Sequence, residues 1–177
     1  MSRTCRQVGV LIRERQPADD AAIHALNVAA FGGSYEATLA EDLRSAGLAA
    51  VELVACDAAD IIGHILFSQL AVTVDARAVR ALALAPMAVR PDRQRQGIGS
   101  ALVRQGLART GALGWQAVVV VGHPRFYPRF GLSAAPARKL RAPFSGDAFM
   151  AIELEAGALG GEQGRIAYPD AFGVDAR

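Results

Sequence analysis

Gln94-Arg95-Gln96-Gly97-Ile98-Gly99-Ser100 decides how this chain folds, because of what stands on either side of it. Every residue from Ala81 to Val89 is apolar. From Ser100 to Leu113 the apolar residues follow helical spacing, with Leu102, Val103 and Leu107 on one face. The segment therefore predicts a strand, a tight turn and a helix. Two glycines one residue apart remove the Cβ atoms that would keep a ligand away from the backbone. The first N–H groups of the helix have no partner of their own, and with the helix dipole they favour an anion in front of them. Arg90, Arg93 and Arg95 add positive charge at the same corner. The ligand to expect at such a turn is a pyrophosphate.

Upstream, Val51–Cys56, Ile61–Val74 and Val79–Val89 read as three strands. Turns around Asp57–Asp60 and Asp75–Ala78 make them antiparallel neighbours. Pro86 cannot donate a ladder hydrogen bond, so the sheet is expected to break or bulge near it and leave backbone free for a ligand. Nearer the N-terminus, Val8–Arg13 reads as a strand. A helix follows, opened by Pro17, Asp19 and Asp20, with Ile23, Leu26, Ala30 and Phe31 on its apolar face. Gly32 and Gly33 stop it. A second helix spans Tyr35–Ala46 and closes at Gly47.

Downstream, Trp115–Val121, apolar apart from Gln116, predicts a central strand buried on both faces. A helical piece over Arg125–Phe130 ends at Gly131. Leu132–Ala135 and Ala148–Leu154 are expected to pair as last strands, and Ile166–Tyr168 to add a short one. His64, in an alternating strand, reads as structural. The sum is an α/β chain: a mixed, mostly antiparallel sheet with helices on both faces.

Bulk properties narrow the function. With 177 residues, 52% apolar and 20% charged, the chain is expected to be one packed domain over 1–177, its core at about 8–155 and a C-terminal extension at about 156–177. A net charge of +2 is too small to indicate nucleic-acid binding. No apolar run reaches membrane-span length, and Val8–Ile12 is too short for a secretory signal, so a cytoplasmic protein is expected. Cys5 and Cys56 form neither a disulfide framework nor a metal-ligand spacing, and no metal is expected.

The glycine turn lacks the lysine and hydroxyl of a Walker loop and the third glycine of a dinucleotide fingerprint, since Leu102 stands at that place. Instead, Leu84-Ala85-Pro86-Met87-Ala88-Val89-Arg90-Pro91 followed by Gln94-x-x-Gly97-x-Gly99 and Ala101-Leu102 resembles the coenzyme-A motif of the GNAT superfamily of N-acetyltransferases. Tyr127-Pro128-Arg129-Phe130-Gly131-Leu132 resembles that family's second signature. The order of elements over about residues 8–155 fits the family's fold, and Phe149–Phe172 resembles the tail of one small bacterial branch.

The resemblance implies direct acyl transfer from acetyl-CoA to an amine, with no covalent enzyme intermediate. It implies that backbone N–H groups of Arg95, Gln96, Gly97, Ile98, Gly99 and Ser100 hold the pyrophosphate and that Gln94 faces the phosphates. It further implies that Met87, Ala88 and Val89 pair with the pantetheine arm as an added strand. An N–H at Met87 or Ala88 would polarise the thioester carbonyl, and Tyr127 would protonate the departing thiolate. For the base, Glu36 on the second helix, His123 after the apolar strand, and a water without a dedicated base all stay open, because Ala81–Val89 contains no acid. The acceptor is expected to be a small-molecule or peptide amine, and the protein a monomer or homodimer. Two other readings are a non-catalytic acyl-CoA sensor on the same fold and an unrelated phosphate-ligand protein.

Overall fold

The three antiparallel strands ahead of the glycine turn form the middle of the sheet in the computed structural model of the protein, which describes residues 9–174. They are β2 (Ala49–Asp57), β3 (Asp60–Val74) and β4 (Arg77–Val89). Ahead of them come β1 (Leu11–Glu14), α1 (Asp20–Phe31) and α2 (Tyr35–Ser45). After them come α3 (Ile98–Ala112), β5 (Ala117–Val121), α4 (Ala134–Ala137), β6 (Leu140–Arg141), β7 (Phe149–Glu153) and β8 (Gly164–Ala167). The main sheet runs β1-β2-β3-β4-β5-β7. Only the β4–β5 pairing in this run is parallel, while β8 joins the far end of β3 and pairs in parallel with β6.

Side-chain alternation divides the core. Leu39 and Leu43 of α2 pack with Leu66, Leu70 and Val72 on one face of the sheet. On the other, Ile98, Leu102 and Val103 of α3 pack with Ile65, Phe67 and Leu82. Helices on both faces thus bury both sides of the central strands.

A buried polar chain fixes α1 and α2 to the sheet. Asn27 Nδ2 donates to the Ile23 carbonyl at 2.9 Å and lies 3.2 Å from His64 Nδ1. His64 Nδ1 is therefore the acceptor, and its Nε2–H donates to Glu52 Oε1 at 2.8 Å. Arg44 Nε donates to the same carboxylate oxygen at 3.0 Å. Burial holds the His64 pKa below its ordinary value against the opposing pull of Glu52, so the neutral imidazole is structural, as its strand position suggests.

The departures from expectation are local. Val8, Arg3, Arg6 and Cys5 lie outside the described residues, and the first strand begins at Leu11. The opening Pro17–Asp19 is a 3-10 turn, tied by a Gln16–Asp19 capping box, before α1 proper. Phe31 is not in the core; it stands 46% exposed where α1 ends at left-handed Gly32. The expected pairing of residues 132–135 with 148–154 shrinks to a single bridge, Ser133 to Ala151. The chain turns into α4 straight afterwards, and β7 instead pairs with β5 along five residues. The glycine-rich extension is packed, with Ala158, Leu159, Ile166 and Phe172 buried against the α2 face. Among the described residues no helix is long and apolar enough to cross a membrane.

Candidate active site

The break expected at Pro86 is present. Ile65 pairs with Met87 and Phe67 with Leu84, so β4 carries an extra residue across this step of the ladder. On its other edge β4 pairs with β5 only from Ala81 to Ala83, opposite Ala117 to Val119. Beyond that point the two strands part. The opening is a cleft of ≈ 1070 Å³ that the far ends of both strands line, Ala85, Pro86 and Met87 from one and Val120 and Val121 from the other.

The glycine turn closes one end of this cleft. Backbone at Arg95 and at Gly97 is left-handed, with φ of 60° and 87°. Glycine accepts this without strain, and a Cβ on Gly97 would meet nothing within 4 Å, so open space lies before it. The first bond into α3 is donated by Ala101 to the Gly97 carbonyl at 3.0 Å, and no side chain caps this end. The N–H groups of Ile98, Gly99 and Ser100 are thus left without an intrahelical partner. Gly99 faces the cleft beside Val89, Met87 and Phe126, which a Cβ would meet at 3.6–3.7 Å.

The arginines at this corner have separate roles. Arg93 pairs with Asp57 at 2.5 Å, and Arg90 with Asp92 at 2.7 Å. Arg90 is thus paired within its own loop and Arg93 with the end of β2. Arg95 lines the cleft with no ion pair among the described residues. Arg125 and Arg129, which sequence reasoning missed, line the same end. The Arg129 guanidinium lies over Phe126 at 4.6 Å.

Tyr127 opens a one-turn 3-10 helix, Tyr127–Phe130, in which Pro128 is accommodated in the first turn and Gly131 supplies the left-handed stop. Its ring is 7% exposed, lines the cleft and meets Phe126 edge to face at 5.0 Å. Burial pushes the phenol up to about 12, so the hydroxyl is protonated throughout the neutral range. Gly122, another residue the sequence did not flag, makes room for this ring: a Cβ there would stand 2.3 Å from Tyr127 Cε2. The His123 carbonyl accepts from the N–H groups of Phe126 (2.9 Å) and Tyr127 (3.4 Å), which anchors the loop.

Of the residues singled out from sequence, Met87, Val89, Gln94, Arg95, Gly97, Ile98, Gly99, Ser100, Glu36, His123 and Tyr127 come together around one cleft. Ala88 and Gln96 do not line it. The Ala88 side chain is buried, and the residue pairs with His64 across the β3–β4 ladder. Gln96 turns back, its amide 3.4 Å from the Asp92 carbonyl. The Gln94 amide donates to the Val89 carbonyl at 3.1 Å and so ties the turn to the strand.

A split sheet whose cleft is lined by an uncapped helix N-terminus and a buried tyrosine has the arrangement of an acyl-CoA acyltransferase site. The sequence model for the acetyltransferase (GNAT) domain matches residues 49–131. Over 166 residues the chain is 36% identical to the uncharacterized N-acetyltransferase YhbS of Escherichia coli K12, which spans 92% of this chain and 98% of that protein. A crystal structure of Escherichia coli YhbS in complex with CoA matches with a TM-score of 0.86 and 34% identity, over 98% of this chain and 97% of that one. A GNAT acetyltransferase from Brucella melitensis in complex with acetyl-CoA matches with a TM-score of 0.75 and 29% identity, over 94% and 99%. The chain belongs to the GNAT family of acetyltransferases.

Proposed function

We propose that this protein is an N-acetyltransferase that moves an acetyl group from acetyl-CoA directly to a primary amine, residues 1–177 working as one domain. The observation that carries this reading is the meeting, in one cleft, of the N–H groups of Ile98–Ser100 without intrahelical partners, the free edge of β4 and the largely buried Tyr127. The two relatives crystallised with CoA and acetyl-CoA support it.

Backbone from Arg95 to Ser100 binds the diphosphate, with Arg95 adding charge. The edge of Met87–Val89 holds the pantetheine amides, and an N–H at Met87 or Ala88 polarises the thioester carbonyl. Acetyl-CoA supplies the activated acyl group. The neutral amine nitrogen forms the new C–N bond as the C–S bond breaks. Tyr127 gives its proton to the departing sulfur, and the amine proton leaves through Glu36, His123 or a water. Positioning by the rigid strand and helix end supplies the rest.

A thiol-release assay with acetyl-CoA against a diverse amine library tests the reading, alongside calorimetric titration with CoA. Turnover with at least one amine is expected. Tight CoA binding with no turnover on any amine would make the protein an acyl-CoA sensor, a reading that the lack of an acid in Ala81–Val89 favours. Preference for ATP or a dinucleotide over CoA would overturn both.

A further inference from the structure

The cleft continues past the split in the sheet, and its far end has a different chemistry. On the α1–α2 side it is walled by Phe31, Tyr35, Leu39, Phe144, Tyr168 and Phe172. Three of these form a contiguous aromatic run, with Phe144 edge-on to Tyr168 at 5.3 Å and Tyr168 against Phe172 at 5.1 Å. Tyr35 Oη donates to the Phe172 carbonyl at 2.7 Å, so the tail is fastened to α2 across this end. Phe31 and Tyr35, both part of the cleft lining, are 46% and 54% exposed.

Charge divides the cleft as well. Its arginines, Arg95, Arg125 and Arg129, all come from the glycine turn and the Tyr127 loop. Glu36 is the one acidic residue of the lining, and it belongs to α2 among the aromatics. Burial raises the phenols of Tyr35 and Tyr168, which keeps both neutral. This end therefore offers a single negative charge, no positive one and a wide aromatic wall.

We infer that the acceptor is a primary amine carried on an aromatic or apolar body, with Glu36 attracting its ammonium end and the aromatic wall of α1, α2 and the tail holding its body. The inference rests on the proposed acetyl transfer and names its substrate class. An amino acid would bring a carboxylate to an end of the cleft that has no cation for it and already holds a carboxylate. A polyamine has further ammonium groups with no second acid in the described lining to pair them, and it lacks the apolar body that the aromatic wall would cover. A phenyl ring on a short alkylamine meets neither difficulty: its one ammonium pairs with Glu36 and its ring packs on the aromatic wall.

The test uses the full chain in two assays: thiol release with acetyl-CoA, and calorimetric binding of amines to the CoA-saturated protein. Phenethylamine, spermidine, glycine and a short peptide amide beginning with phenylalanine are compared. Phenethylamine is expected to exceed spermidine and glycine by about tenfold or more in kcat/KM and in affinity. If the peptide exceeds phenethylamine, the same chemistry is delivered by a chain terminus. Glu36→Gln and Phe31→Ser, both at solvent-reached positions on otherwise intact helices, are each expected to weaken phenethylamine binding several-fold with CoA affinity unchanged. Equal or better use of spermidine or glycine would overturn the inference, as would both variants binding phenethylamine like the parent. Loss of CoA binding in the parent, or selective phenethylamine binding without turnover, would instead strike at the proposed activity.

Discussion

The two ends of the cleft are built in opposite ways. At the carrier end, one continuous stretch from β4 through the glycine turn into α3 presents main-chain groups: the Ile98–Ser100 amides and the open edge of Met87–Val89. The acceptor end is assembled from side chains far apart in sequence, Phe31 and Tyr35 from the first helices and Phe144, Tyr168 and Phe172 from the last segments. Backbone binding depends on local conformation and tolerates many side chains. A side-chain wall depends on tertiary packing and can be recast residue by residue. On the proposed function, one protein thus combines a fixed grip for a common carrier with an adjustable cup for its partner.

The largest effect expected is from Gly97→Glu, which puts a side chain and a negative charge where φ is 87° and the diphosphate is to sit. Calorimetry should show CoA affinity falling by about 100-fold or more, with phenethylamine still bound. Unchanged CoA affinity in a folded variant would break the contrast at its carrier end. Tyr127→Phe tests the junction between the ends. It should lower kcat by about 100-fold and leave the acetyl-CoA dissociation constant alone, as measured under single-turnover conditions. An unaltered chemical rate removes Tyr127 from the mechanism.

A smaller change is expected for Gly122→Ala, whose new Cβ would collide with the Tyr127 ring at 2.3 Å. Overpacking of this kind costs about 1–3 kcal/mol, so the thermal midpoint should drop and kcat should fall while the amine KM holds. A variant equal to the parent in both would show that the ring has other room. Smallest of all, Tyr35→Phe deletes the 2.7 Å bond to the Phe172 carbonyl. The loss is about 1 kcal/mol. The KM for the amine should rise and that for acetyl-CoA should not. Equal shifts in both would mean that the two ends are not separable.

This difference in construction also explains what was legible beforehand. Gly97 and Gly99 announce themselves because turn chemistry is written in neighbouring residues, and Pro86 in an apolar run locates the bulge for the same reason. Tyr127 is found through its position before Phe130-Gly131. Gly122 is invisible in one dimension, since its purpose is a contact with a ring five residues on that only the fold creates. Phe144, Tyr168 and Phe172 are isolated aromatics in a stretch without period, so nothing local marks them as a wall. Residues 132–135 have strand-like neighbours, yet Ala134-Ala135-Pro136-Ala137 turns helical and the open edge of β5 captures β7.

The antiparallel pairing of β8 with the far end of β3, which joins Ala71 to Ala167 from distant parts of the sequence, sets an order in synthesis. The glycine turn and Tyr127 are synthesised before Phe130, but the aromatic wall is complete only with Phe172. A chain ending at Phe130 would lack that wall, and it would also lack β7, the strand that pairs along the whole of β5.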